Sequence, residues 1–154
     1  MSEWQRSTYE IDPDQIPTEI QVVIHTHIDL YNLGDILSTA LMCIQTDSEK
    51  PKKGLFRSAE FVRQYVMVTS RWLIWSVSGA KTPVTVMSAL LKDIVVQDYA
   101  ITSFAALIPD SGIQVEGKFT DVSESGSTFI GLENNVVGQK FKETVIAIVQ
   151  EVKK

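Results

Sequence analysis

Residues 65–77, Tyr-Val-Met-Val-Thr-Ser-Arg-Trp-Leu-Ile-Trp-Ser-Val, constrain this chain more than any other stretch. Two runs of β-branched and aromatic residues meet at a polar corner, Thr69-Ser70-Arg71. Such side chains suit a pleated, half-buried surface, so the segment predicts a hairpin at the centre of a sheet. Trp72 and Trp75 stand three apart on one arm and therefore point to opposite faces. One belongs to the core. The other, taken as Trp72, is a candidate interaction surface or packs in a second layer against an N-terminal helix.

With 154 residues, 44% of them hydrophobic and 21% charged, the chain suits one domain around one core. No apolar run approaches the ~20 residues of a bilayer-spanning helix, so no integral membrane segment is expected. The opening Met-Ser-Glu-Trp-Gln-Arg has no basic start followed by an apolar stretch, which predicts no secretory leader. Cys43 is the only cysteine and lies in an apolar run. It rules out a disulfide framework within the chain and suggests a reducing, cytoplasmic setting.

The remaining pattern alternates strands with turns. Residues 1–16 are polar and acidic and read as an arm or short extra element. Pro17 opens a stretch with apolar residues at Ile20, Val23, Ile24, Ile28 and Tyr31, spaced as a helix stripe over 17–33. Residues 36–46 read as a long strand, 61–69 and 72–78 as the hairpin, and 84–87 and 94–99 as two more strands. Residues 103–108 read as an irregular apolar segment packed under the sheet. In 113–119, Ile113, Val115, Gly117 and Phe119 alternate with Gln114, Glu116 and Lys118, giving one dry and one wet face. A short strand over 128–132 follows. Then Val137, Phe141, Val145, Ile148 and Val152 predict an amphipathic helix over 134–152, capped by Asn134 or Asn135. The expected fold is mainly β: about seven antiparallel strands over 36–132 and a C-terminal helix, with an added N-terminal helix, as one domain over 17–154.

The hairpin at 65–75, the strand Asp93-Ile94-Val-Val-Gln-Asp-Tyr99, and Phe129-Ile-Gly-Leu132 with Phe141 resemble the pleckstrin-homology-like superfold, in its GRAM and bacterial PH-like branch. The resemblance covers about residues 36–152. It implies a β-sandwich or barrel of two nearly orthogonal sheets, closed at one end by the C-terminal helix.

Many members of that superfold hold phosphoinositide headgroups with basic residues at the first hairpin. The resemblance points to Lys50, Lys52, Lys53, Arg57 and Arg63 as headgroup ligands, with Leu55 and Phe56 entering a bilayer interface. The window 50–71 carries +5 while the rest of the chain carries −10. The match is incomplete, because Arg63-Gln64-Tyr65 supplies one basic residue where the family pattern has two. Net charge of −5 argues against nucleic acid as a partner. His25, His27 and Asp29 are the only metal-like cluster, and helical geometry turns the two imidazoles about 200° apart. No metal site and no cofactor are expected. No Gly-x-Ser-x-Gly elbow or phosphate-binding glycine loop occurs, so a small hydrolase or ligand-binding enzyme is the last of the readings. The first is a non-catalytic binding module that contacts a protein partner or a second copy. Anionic lipid binding through residues 50–57 is the alternative.

Overall fold

A computed structural model of the chain describes residues 3–51 and 59–154. These form eight strands and two helices in the order β1 (Gln5–Glu10), α1 (Thr18–Tyr31), β2 (Met42–Lys50), β3 (Glu60–Val68), β4 (Trp72–Gly79), β5 (Thr85–Leu90), β6 (Ile94–Asp98), β7 (Gly112–Lys118), β8 (Ser125–Gly131) and α2 (Val136–Val152). Strands β1 to β5 make one antiparallel meander and β6 to β8 a second. The sheets stay separate, so the architecture is two sheets and not a closed barrel.

The alternation of each strand divides the apolar residues between two cores. Ile44, Val66, Leu73 and Trp75 project from one face of the large sheet onto Ile113, Val115 and Ile130 of the small one. Helix α2 seals this core with Phe141, Val145 and Val149, and a Trp75–Phe119 edge contact at 5.6 Å lies inside it. From the opposite face, Cys43, Tyr65, Met67 and Ile74 meet Ile20, Ile24 and Ile28 of α1. Trp72 is half-buried at the margin of this second core, so it is a packed-layer residue more than a free surface.

Three expectations are corrected. The strand expected over 36–46 begins only at Met42. The carboxylate and carbonyl of Asp35 draw in the Ser38 and Thr39 hydroxyls, which bends the chain into a turn there. The polar arm contains an eighth strand, β1, paired with β2 from Gln5↔Glu49 to Glu10↔Ile44. Finally, residues 103–108 are not packed under a sheet. Phe104, Leu107 and Ile108 are exposed.

The arm is held by tertiary contacts that its composition does not advertise. Thr8 is buried and shares a hydroxyl hydrogen bond with Thr46 at 2.9 Å. On the free edge of β1, the Thr8 N–H donates to the Glu133 carboxylate at 3.0 Å, and its carbonyl accepts from the Asn135 amide at 3.2 Å. Asn135 also caps α2 by accepting from the Gly138 N–H at 2.8 Å. One short segment therefore starts the helix and covers an exposed sheet edge.

Candidate functional site

The basic cluster does not assemble among the described residues. Lys50 ends β2 on the face turned toward the small sheet, and Arg63 leaves β3 on the face turned toward α1, following the strand alternation. Each already faces a carboxylate. Lys50 Nζ lies 3.2 Å from Glu3, and Arg63 grips Asp47 with two bonds of 2.7 and 3.1 Å. Asp47 holds the Arg63 guanidinium above its usual range. Lys52, Lys53, Leu55, Phe56 and Arg57 lie outside the described residues.

A second constellation joins α1 to the sheets. His27 Nε2 lies 2.7 Å from Ser88 Oγ, and Ser88 donates to Thr120 Oγ1 at 2.7 Å. Because the serine proton goes to Thr120, the imidazole donates from Nε2. Burial pushes the His27 pKa down against a smaller upward pull from Asp121. The pair has the composition of a nucleophile and base, but Ser88 has no solvent-accessible surface. A groove of about 210 Å³ beside it is lined by Trp72, Leu90, Asp93, Lys118, Phe119 and Thr120 and stops at Thr120. The hydrogen bonds link α1 to β5 and to the β7–β8 connection. His25, by contrast, is exposed, and the described residues contain no cluster of metal-ligating side chains.

The third arrangement is built from Arg6. Its guanidinium forms a fork on Asp110, with Nε–Oδ1 at 3.0 Å and Nη2–Oδ2 at 2.6 Å, and its remaining nitrogen donates to Ser48 at 2.6 Å. Trp4 and Phe129 present ring faces 5.5 and 5.4 Å away. Gly131 leaves the space, since a Cβ there would overlap the guanidinium. This latch fixes the C-terminal base of the β6–β7 connection to β1.

The other base of that connection is fixed as firmly. Asp98 accepts from Lys142 of α2 at 2.8 Å and from the Ala100 N–H at 3.0 Å. Burial works to raise its pKa, but these bonds and the lysine charge hold it below the ordinary value. Between the two anchored carboxylates, residues 99–109 hold no charged side chain. Two 3₁₀ turns, Tyr99–Ile101 and Ser103–Ala106, carry Ile101 75% exposed and Phe104 56%, followed by Leu107 at 83% and Ile108 at 65%. Tyr99 is buried beneath them, stacked edgewise on Phe129 at 4.8 Å, and its hydroxyl ties the Ile108 carbonyl at 2.6 Å.

No family model, no curated protein and no solved structure matches this chain.

The apolar composition of 103–108 suits a segment packed under a sheet, yet its side chains are exposed. An uncharged run lies between Asp98 and Asp110, with apolar residues at 101, 104 and 107.

Proposed function

We propose that this chain is a non-catalytic binding module of PH-like architecture that makes contact through the β6–β7 connection. The observation that carries the reading is the exposure of Ile101, Phe104, Leu107 and Ile108 on a connection fixed at both bases. A contiguous apolar patch on a soluble domain marks an interaction surface more often than a folding element. The four-strand run β2 to β5, the three-strand sheet β6 to β8 and the closing helix α2 follow the PH-like order, with β1 and α1 as additions. The alternative of headgroup binding by Lys50 and Arg63 gains nothing from their opposed faces and occupied partners. A hydrolase reading gains nothing from a serine that no substrate can reach.

The test is energetic. A contact surface is idle in the free domain, so Phe104→Ser and Leu107→Ser leave the urea midpoint within about 0.5 kcal/mol of wild type, as for other surface positions. A loss of 2 kcal/mol or more in either variant, the range of core truncations, assigns these side chains to the fold and removes the reading.

A further inference from the structure

The occupant of this surface follows from its size, its charge and its backbone. The four exposed side chains make an apolar patch on the order of the ~300–600 Å² of the largest patch on a typical monomer. A stable complex between proteins buries about 800 Å² per partner. The patch falls short of that, and the 3₁₀ turn Ser103–Ala106 packs chiefly on the turn before it, so the side chains stand on a projection and not on a broad face. A second copy would need an apolar socket to receive them. Among the described residues, a 410 Å³ depression contains Asp12 and Asp14, the 210 Å³ groove contains Asp93 and Lys118, and a 620 Å³ groove along the start of α2 contains Lys140 and Glu143. Each carries charged side chains on its lining.

The electrostatics are equally selective. Residues 99–109 carry no charge, Asp98 is paired with Lys142 and Asp110 with Arg6, so the projection and its bases are neutral together. Part of its backbone is also spent internally. The N–H groups of Thr102, Ala105, Leu107 and Ile108 donate to carbonyls of the same segment, Ala100 N–H goes to Asp98, and the Tyr99 hydroxyl covers the Ile108 carbonyl. Self-satisfied backbone is what a segment needs before it leaves water for a medium without hydrogen-bonding partners.

Resting on the reading of this connection as the contact surface, we propose that it seats Ile101, Phe104, Leu107 and Ile108 in the headgroup–acyl boundary of a lipid bilayer, without preference for anionic headgroups. A bilayer requires no matching socket and accepts a small apolar projection at any position. Trp4 beside Arg6 and Lys50 lies on the same side of the molecule, through Arg6 and Phe129 to Tyr99, where an aromatic ring suits the polar boundary.

The experiment uses the full chain with vesicles of phosphatidylcholine alone and with added phosphatidylserine, by co-sedimentation at low and high salt. Wild type is expected on both vesicle types with little salt dependence, and Leu107→Ser/Ile108→Ser lowers partitioning by about tenfold or more. A Leu107→Cys variant labelled with a polarity-sensitive dye reports depth directly, because buried Cys43 does not compete for label. Its emission shifts blue on phosphatidylcholine vesicles. Absence of wild-type binding to neutral vesicles overturns the proposal, as does binding that is anionic-only and unchanged in the double variant. If wild type ignores vesicles but self-associates in sedimentation velocity, and the double variant does not, the bilayer is wrong and the surface stands. If the double variant matches wild type in both assays, the surface falls too.

Discussion

The Arg6–Asp110 fork is the contact on which the geometry of the projection depends, and its removal has a calculable cost. Their side chains retain 10% and 11% of their exposure, so the pair is largely desolvated. Breaking a fully buried pair by removing one partner costs ~3–5 kcal/mol, because the other charge is left without compensation. Here the remaining exposure, the Ser48 bond and the ring faces of Trp4 and Phe129 keep part of the compensation. Asp110→Ala should therefore cost about 2–3 kcal/mol, read from the urea midpoint at constant m-value. In a chain of this length that lowers Tm by roughly 5–10 °C. Arg6→Met should cost a similar amount, since among the described residues Asp110 then keeps the Ser111 N–H alone. The decisive quantity is the double variant. Removing both charges leaves no orphan, so its cost should fall below the sum of the singles by about 2 kcal/mol. Additive single effects of about 0.5 kcal/mol each would mean that the fork behaves as an exposed pair, and the anchoring argument would fail with it.

Other consequences are as direct. His27 is held below its ordinary pKa of 6.5 by burial, so the folded state binds fewer protons than the unfolded one. Its contribution is fully present above pH 6.5 and is lost as pH falls through the lowered folded value. The fall in urea midpoint from pH 7.5 to pH 5 should be shallower in His27→Gln; an unchanged slope assigns the acid sensitivity elsewhere. Burial, with a smaller push from Asp12, raises the Cys43 thiol to about 12, so a thiol reagent at pH 8 should modify the native protein only as it unfolds. Rapid stoichiometric labelling without denaturant would contradict the packing of β2 on α1. Phe141 has no accessible surface, and Phe141→Ala should cost about 3–5 kcal/mol in chemical denaturation. A loss under 1 kcal/mol would show that α2 is not part of the main core.

The parts of this fold that are legible in the sequence are those where local preference and burial agree. Residues 65–77 combine β-forming side chains with a corner that Thr69 organises by accepting from the Arg71 and Trp72 N–H groups, and the hairpin follows. The C-terminal stripe likewise places Phe141 and Val145 in the core and Asn135 at the cap. Legibility fails where distant partners decide. Nothing in Gln-Arg-Ser-Thr-Tyr-Glu announces a strand, because its pairing depends on Ser48, Thr46, Asp110 and Glu133, between about 40 and 125 residues away in sequence. Of the basic residues close in sequence, Lys50 and Arg63 are sent to opposite faces by strand alternation, and Lys52, Lys53 and Arg57 lie outside the described residues.

The same distant contacts narrow how the molecule can bind anything. A sheet domain commonly recruits partners by adding a strand to an open edge or by offering unpaired charge in a cleft. At β1 the edge is occupied at Thr8 by Glu133 and Asn135. At β5, the Ser88 carbonyl already accepts from the Thr120 N–H. Arg6, Lys50, Arg63 and Lys142 each hold a carboxylate. These contacts leave the apolar β6–β7 connection exposed between its two secured bases. The Arg6–Asp110 and Lys142–Asp98 pairs are the fittings that anchor the two ends of residues 99–109. Breaking Asp110 from Arg6 should accordingly weaken vesicle partitioning even though neither residue meets lipid, while the exposed Lys140–Glu10 pair can be removed without effect. Equal partitioning by Asp110→Ala and wild type, under conditions where both are folded, would separate the projection from its anchors and remove the link between them.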